Sequence, residues 1–319
     1  MQEFLRKTLG KDIVAITKNL SALFFSEAIS FFQLILSRSK GWLRRTIFNR
    51  ELSVPIIIYQ PGKVGSTSVQ QSLDAAFKLL DMHTPVYHAH NLNRIELIEE
   101  SIKQHRKDPS KTLKKLATSK ALRKEIDRKP SKEWKIISLV RDPVALRVST
   151  MFQLLDEYIP DWAELVKANQ LSVQDLQELL LSREEFAPQK LTAWFDNQVK
   201  DLFGFDVFSV PFDTEKGFTI YRLPNNRFSL MIIRLEDLDR VAPKAFQQFI
   251  GLNKFEMIKA NVGDEKPYRE LYRQFKSLPL PAGYVDSAYD TPYARQFYTP
   301  NELEAFRQRW LNPTITEGG

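Results

Sequence analysis

The sequence predicts an α/β fold with a central, largely parallel sheet flanked by helices. Two apolar, β-branched-rich runs support this, Val54 to Tyr59 (VPIIIY) and Lys135 to Val140 (KIISLV). Each ends in a polar turn that leads into a segment with helical periodicity. With 319 residues, 43% hydrophobic and 27% charged, the chain has ordinary globular usage and enough apolar surface for a sizeable core. It divides into an arm over 1–50 and one α/β domain over 51–319.

Charge is distributed unevenly. The net charge of +7 combines +6 over residues 1–50, +9 over 101–135 and −8 elsewhere, so the basicity is local. With no cysteine there is no thiolate nucleophile, disulfide scaffold or Cys-ligated metal site. Four histidines, His83, His88, His90 and His105, argue against a His-rich metal centre, and no metal is expected.

The arm contains Leu20 to Leu36, LSALFFSEAISFFQLIL, near the shortest length that crosses a bilayer. Ser26, Ser30, Gln33 and Ser37, with Glu27 beside them, recur at helical spacing as one polar stripe. Lys40, Trp42, Arg44, Arg45 and Arg50 follow, side chains suited to lipid headgroups. An interfacial helix and a helix docked on the chain's own core fit equally, ahead of a true span. The expectation is a cytoplasmic protein with a peripheral membrane contact through residues 13–50.

After Tyr59 the chain reads QPGKVGSTSVQQSLDAAFKLL. Pro61 and Gly62 end the strand, Gly65 permits a close backbone approach, and Ser66, Thr67 and Ser68 open a helix. A helix N-terminus after a strand attracts anionic oxygens, because its first N–H groups lack intrahelical acceptors and the dipole is positive there. Lys63 adds a full charge, so Lys63 to Ser68, including the main chain at Val64 and Gly65, form a candidate phosphate-type site. The loop is not a Walker A motif: Lys63 precedes Gly65, and Val64 rather than Ser or Thr follows the lysine.

Pro85 to His88 reads as a short strand, and alternation places His88 and His90 on one face at its carboxyl end. Residues 101–135, including KTLKKLATSKALRKEIDRKPSKEWK, read as a solvated helical excursion or a basic rim for an anionic polysaccharide or lipid surface. Before Trp134 no aromatic residue interrupts this stretch, so nothing beyond charge supports nucleic acid, and none is expected.

The run KIISLV leads into Arg141-Asp142-Pro143, with Asp142 as N-cap, Pro143 in the first turn, and VALRVSTMFQLLDEY as the helix. Arg141 therefore ends a strand, and Ser149 lies two turns into the helix with Arg147 between them. In a doubly wound sheet, ligands bind outside the carboxyl ends of the strands. Lys63 and Arg141 would then face one crevice if their strands are neighbours, and a guanidinium suits a phosphate there.

PGKVGSTS at 61–68 followed by RDPVALRVS at 141–149 resembles the two nucleotide-binding motifs of sulfotransferases that use 3′-phosphoadenosine 5′-phosphosulfate (PAPS). The likeness is greatest to carbohydrate sulfotransferases, including bacterial proteins described as capsular polysaccharide synthesis proteins. It is specific from Val54 to Tyr158 and weaker beyond, at RFSLMIIRLEDL (227–238) and at YARQFYTPNELEAFRQRW (293–310), which looks like a closing helix. The resemblance implies a P-loop-like three-layer fold. It also implies that Lys63, Ser66, Thr67, Ser68 and the backbone from Val64 hold the 5′-phosphosulfate, with Arg141 and Ser149 on the 3′-phosphate. The late Arg-Lys-Gly segment of the cytosolic members does not occur here, and Lys259, Asn261 and Lys266 are candidates to close the site instead.

Sulfuryl transfer needs the charge on the departing phosphate oxygen neutralised, and Lys63 is the candidate for that task. His-x-His after a second strand is similar to the pattern of uronyl sulfotransferases, which implies His90 as base, with His88 orienting or substituting for it. Glu96 and Glu99, within a predicted helix, are weaker alternatives. The helical stretches over 160–203 (VQDLQELLLS, LTAWFDNQVKDLFG) are candidates for a lid on the acceptor side. FDVFSV and GFTIYRL read as strands, and YRELYRQFKSL as a helix. The expected reaction moves a sulfuryl group from PAPS to a saccharide hydroxyl, releasing adenosine 3′,5′-bisphosphate. The competing readings are a nucleotide-dependent phosphotransferase and a non-catalytic, membrane-associated scaffold with a degenerate nucleotide pocket.

Overall fold

Five short strands carry the architecture. The computed structural model describes residues 54–105, 109–258 and 267–313. The arm over 1–50, and with it the expected membrane contact, lies outside the described residues. Among those described, no helix is long and apolar enough to cross a membrane. The chain divides into two compact units, one holding residues 54–93 and 133 onward, the other the described part of 94–132.

In the larger unit, β1 (Ile56–Tyr59) is buried along its whole length, as a strand covered on both faces must be. Helix α1 (Ser66–Leu79) follows and turns Val69, Leu73, Ala76 and Phe77 inward at helical spacing. Strand β2 (Val86–Ala89) pairs parallel with β1, aligning Ile58 with His88 and Tyr59 with Ala89.

The smaller unit is a helix pair, α2 (Ile95–His105) and α3 (Ser110–Arg128). On α3, Leu116, Ser119, Leu122 and Ile126 form one buried stripe, while many of its basic residues face solvent. Lys103 and Lys120 both bind Glu99, at 2.6 and 3.6 Å, and the Lys103 hydrogen bond chiefly holds that carboxyl below its ordinary range. A carboxylate stabilised in its charged form is a poor proton acceptor, which counts against Glu99 as a base.

The chain returns to the sheet as β3 (Trp134–Val140), parallel to β1 on the side away from β2. Helix α4 (Pro143–Gln153) follows, then short helices α5 (Leu155–Tyr158) and α6 (Trp162–Lys167), and α7 (Val173–Ser182), which opens on a Ser172–Asp175 capping box. Helix α8 (Lys190–Phe195) widens into a π-turn over Asp196–Lys200 before a last turn at Asp201–Phe203. Strands β4 (Phe218–Arg222) and β5 (Phe228–Arg234) form a hairpin whose second strand runs parallel to β3, giving the order β2-β1-β3-β5-β4. The sheet is thus mostly parallel, with one antiparallel edge strand.

Helices α9 (Leu238–Ile250), α10 (Arg269–Lys276), α11 (Ala282–Tyr289), α12 (Pro292–Phe297) and α13 (Pro300–Leu311) complete the chain. Two expectations are corrected. FDVFSV forms a 3₁₀ turn at Val207–Ser209 rather than a strand, because the Asp206 carboxylate accepts the N–H of Phe208 and curls the backbone. The single closing helix is two helices. Thr299 caps α13 in a box with Glu302, and Pro300 opens it, so the backbone breaks at Tyr298 and Thr299.

A polar network ties these C-terminal helices to the end of β3. Asp142, 1% exposed, caps α4 through Oδ1, which accepts from the N–H of Val144 (3.0 Å) and the hydroxyl of Tyr289 (3.0 Å). Its Oδ2 accepts from Arg309 (2.5 Å) and the Trp310 indole N–H (3.2 Å). The N–H of Asp142 donates to Glu236 Oε1 at 2.7 Å, and Tyr298 donates to Glu236 Oε2 at 2.9 Å. Burial is the main influence on Glu236 and raises its carboxyl above the ordinary 4.5, against the opposing bond from Asp142.

Replacing Asp142 by Ala strips a helix cap and leaves buried donors unmet, so the expected loss is about 3 kcal/mol in urea unfolding. A loss below about 1 kcal/mol would show that the network is incidental. Glu236 binds its proton more readily in the folded chain, so its contribution to stability is complete below pH 4.5 and falls as pH rises through the raised value. Glu236→Gln is therefore expected to gain melting temperature relative to the parent between pH 5 and 7. An unchanged difference at the two pH values would contradict that assignment.

Candidate functional site

The site is built at the carboxyl ends of β1, β2 and β3. Pairing of β1 with β3 aligns Ile58 with Ile137, so the loop after Tyr59 and the turn after Val140 leave the sheet side by side. Chain order reverses here, since β2 lies on one side of β1 and β3 on the other. A crevice opens at such a switch point.

The loop after β1 turns through two left-handed residues, Lys63 (φ 66°) and Gly65 (φ 83°). Val64 between them is fully buried, so its side chain anchors the loop and any contact it makes with a ligand is through the main chain. Only glycine meets the demands at 65. Its φ disfavours any L side chain, and an added Cβ would lie 2.6 Å from Leu235 Cδ1. Gly65 leads straight into α1, whose first turn has no side-chain cap and no acidic residue. Ser66 is buried, and Thr67 and Ser68 are half-buried. Ser72, one turn further, accepts the N–H of Ile258 at 2.8 Å. Lys259, Asn261 and Lys266 follow that tie and lie outside the described residues.

Arg141 meets this loop directly, its Nη1 donating to the main-chain carbonyl of Lys63 at 3.1 Å. The backbone of Arg141 is pinned by one hydroxyl. Tyr293 accepts from its N–H and donates to its carbonyl, both at 2.9 Å. Burial above all raises the phenol of Tyr293 far above its ordinary range, which keeps it a neutral group able to do both. Ser149 is half-buried two turns into α4, with no hydrogen bond to Arg141. Arg147 turns elsewhere, donating to the carbonyl of Glu185 at 3.3 Å, and burial lowers its guanidinium to about 10.

The register of β2 brings the histidines to the same edge. Because Tyr59 pairs with Ala89, His90 comes beside Gln60, and its Nδ1 lies 2.9 Å from the Gln60 carbonyl. The rings of His88 and His90 meet edge to face with centroids 4.8 Å apart, as the alternation implies. A carbonyl only accepts, so Nδ1 of His90 carries the hydrogen and Nε2 carries the lone pair of the neutral ring. That is the form a general base requires.

The structure therefore joins Lys63 to Arg141 by a bond and His88 to His90 by ring contact, with Gln60 linking the histidines to the start of the loop. It also supplies residues that the local pattern did not reveal. Trp194 donates its indole N–H to the His90 carbonyl at 2.9 Å. Gln198, buried in the π-turn, accepts from Tyr59 (2.6 Å) and from the N–H groups of Leu92 and Asn93 (both 3.0 Å), which holds the segment after His90. The widened turn presents this amide inward, a common use of π-turns near functional sites. A buried amide lies on no apolar period, and only the helix break at Thr-Pro after Tyr298 gives a local sign of this supporting shell.

Residues 172–299 match the model of a family described as putative capsular polysaccharide synthesis protein, about two-fifths of the chain. The matched span contains Trp194, Gln198, Leu235, Glu236, Tyr293 and Tyr298, which brace the loops bearing Lys63, His90 and Arg141. No curated protein and no solved structure matches the chain. What the comparisons establish is a likeness, over those residues, to a family connected with capsular polysaccharide synthesis.

Proposed function

We propose that this chain transfers a sulfuryl group from PAPS to a hydroxyl of a saccharide. The observation that carries the reading is the bond from Arg141 Nη1 to the Lys63 carbonyl, which makes two strand-end loops one cationic edge. PAPS carries phosphate-type charge at two positions on one ribose, and two adjacent anion sites are the requirement it imposes. The family likeness supports a saccharide as the acceptor class.

Two features of the loop support this choice of donor. Its left-handed glycine lets the backbone approach closely, and the first turn of α1 offers its dipole with no acidic residue within that turn. Lys63, the main chain of Val64 and Gly65, and Ser66, Thr67 and Ser68 would hold the 5′-phosphosulfate. Arg141 and Ser149 would hold the 3′-phosphate, and Lys266 is a further proposed contact.

The bound donor supplies an activated sulfuryl group, and the transfer breaks one S–O bond to phosphate as another forms to the acceptor oxygen. The chain's own tasks are in-line placement, charge neutralisation by Lys63 and removal of the acceptor's proton by Nε2 of His90, with His88 orienting. Side chains perform all three, so the proposal calls for no metal.

Adenosine 3′,5′-bisphosphate is expected to raise the melting temperature more than ATP with Mg²⁺, and the reverse ranking would favour a phosphotransferase. Arg141→Ala should weaken bisphosphate binding by about 2 to 4 kcal/mol in calorimetry. Retained affinity would remove Arg141 from the site. His90→Ala should lower turnover on a saccharide acceptor by about two to four orders of magnitude with bisphosphate affinity nearly unchanged. A small effect on rate would exclude His90 as base, and binding without turnover on any glycan would favour a scaffold.

A further inference from the structure

Gln60 is fully buried directly after β1 and is attached to both histidines. Its main-chain carbonyl lies 2.9 Å from Nδ1 of His90, and its side-chain Nε2 lies 3.2 Å from Nε2 of His88. An amide nitrogen only donates. With the amide turned this way His88 offers a lone pair at Nε2, which places its own hydrogen on Nδ1 and disfavours the imidazolium.

The remaining amide atom, Oε1, is buried with no hydrogen-bond partner. Leucine would fill the same space without that desolvation penalty, so packing alone does not account for glutamine here. Turning the amide over would present Oε1 to His88, demand a hydrogen on its Nε2, and orphan the NH₂ instead. Amide orientation and His88 tautomer are thus one choice.

That choice bears on His90, because two imidazolium rings with centroids 4.8 Å apart repel. His90 can take up a proton readily only while His88 stays neutral. Of the titratable groups on neighbouring elements, Tyr59 is bonded to Gln198, Lys63 stands three residues along the loop, and Asp196 opens the π-turn that follows Trp194. The side-chain amide of Gln60 is hydrogen-bonded to the His88 ring at its Nε2.

We infer that Gln60 is a positioning residue whose side chain holds His88 neutral with its hydrogen on Nδ1, reserving proton uptake for Nε2 of His90. The assignment of His90 stands on its contact with a carbonyl, and that of His88 on the amide turned with its NH₂ toward the ring. The consequence for catalysis rests on the sulfuryl-transfer reading above.

The four histidines make the test direct in the full chain labelled with ¹⁵N-histidine, where long-range proton–nitrogen spectra report tautomer and charge, and His88→Ala and His90→Ala assign the signals. At pH 7.5 both rings are expected to be neutral with hydrogen on Nδ1. In Gln60→Leu, His88 should lose its single tautomer while His90, bonded to main chain, keeps its own. Gln60→Glu should raise the His88 midpoint by about one pH unit or more. A charged His88, an Nε2–H form in the parent, or an unaltered His88 in Gln60→Leu would overturn the inference. If Gln60→Leu fails to fold, the parent spectrum still decides.

With PAPS and a saccharide acceptor, Gln60→Leu should lose about 10- to 100-fold in kcat with KM for PAPS nearly unchanged. Spectra as expected with kcat unaffected would overturn the catalytic half of the inference. Spectra as expected in a parent chain that turns over no saccharide would instead overturn the sulfuryl-transfer reading, and the ring assignment would stand.

Discussion

The parallel pairing of β1 with both β2 and β3 is the constraint on which the site depends. Three carboxyl ends leave one edge of the sheet together, and the residues that follow them have no further ladder to join. Their polar groups must be met by neighbouring loops. Arg141 bonds to the carbonyl of Lys63 and His90 to the carbonyl of Gln60 for this reason. A one-residue slip of β2 would turn His88 and His90 to the opposite face and leave the Gln60 carbonyl without its imidazole.

The edge is held from behind by the second half of the chain. Tyr293 fixes the backbone at Arg141, Glu236 takes the N–H of Asp142, Gln198 gathers the segment after β2, and Trp194 takes the His90 carbonyl. These partners are more than 90 residues away in sequence from the atoms they hold. The family likeness covers this bracing layer rather than the loops. The division is physically sensible, since a loop keeps a strained conformation such as Lys63 at φ 66° only where its surroundings over-determine it.

Polar atoms buried around that edge are costly unless matched, and Asp142 is matched several times over. Asp142 receives helix N–H groups, a phenol, a guanidinium and an indole. The unmatched Oε1 of Gln60 stands out against this background, as do Nε of Arg147 and Oγ of Ser138. For Arg147 the cost appears as a guanidinium lowered to about 10 by burial. For Gln60 it coincides with contacts to two imidazoles.

Local chemistry determined much of this protein. An apolar β-branched run had to be a buried strand, Asp-Pro had to open a helix, His-x-His had to share a face of an extended segment, and the Lys-x-Gly loop had to end at a helix N-terminus. Each follows from dihedral preference or period within a few residues, and each is found. The curl at Asp206, the break at Thr299, the π-turn that turns Gln198 inward, the phenol on Arg141 and the contacts of Gln60 with two imidazoles were decided by the tertiary structure. The break and the curl carry short capping signals, but the other contacts are made by single polar side chains with distant parts of the chain. A buried hydrogen bond depends on which strands become neighbours and in what register, and no periodicity along the sequence encodes that.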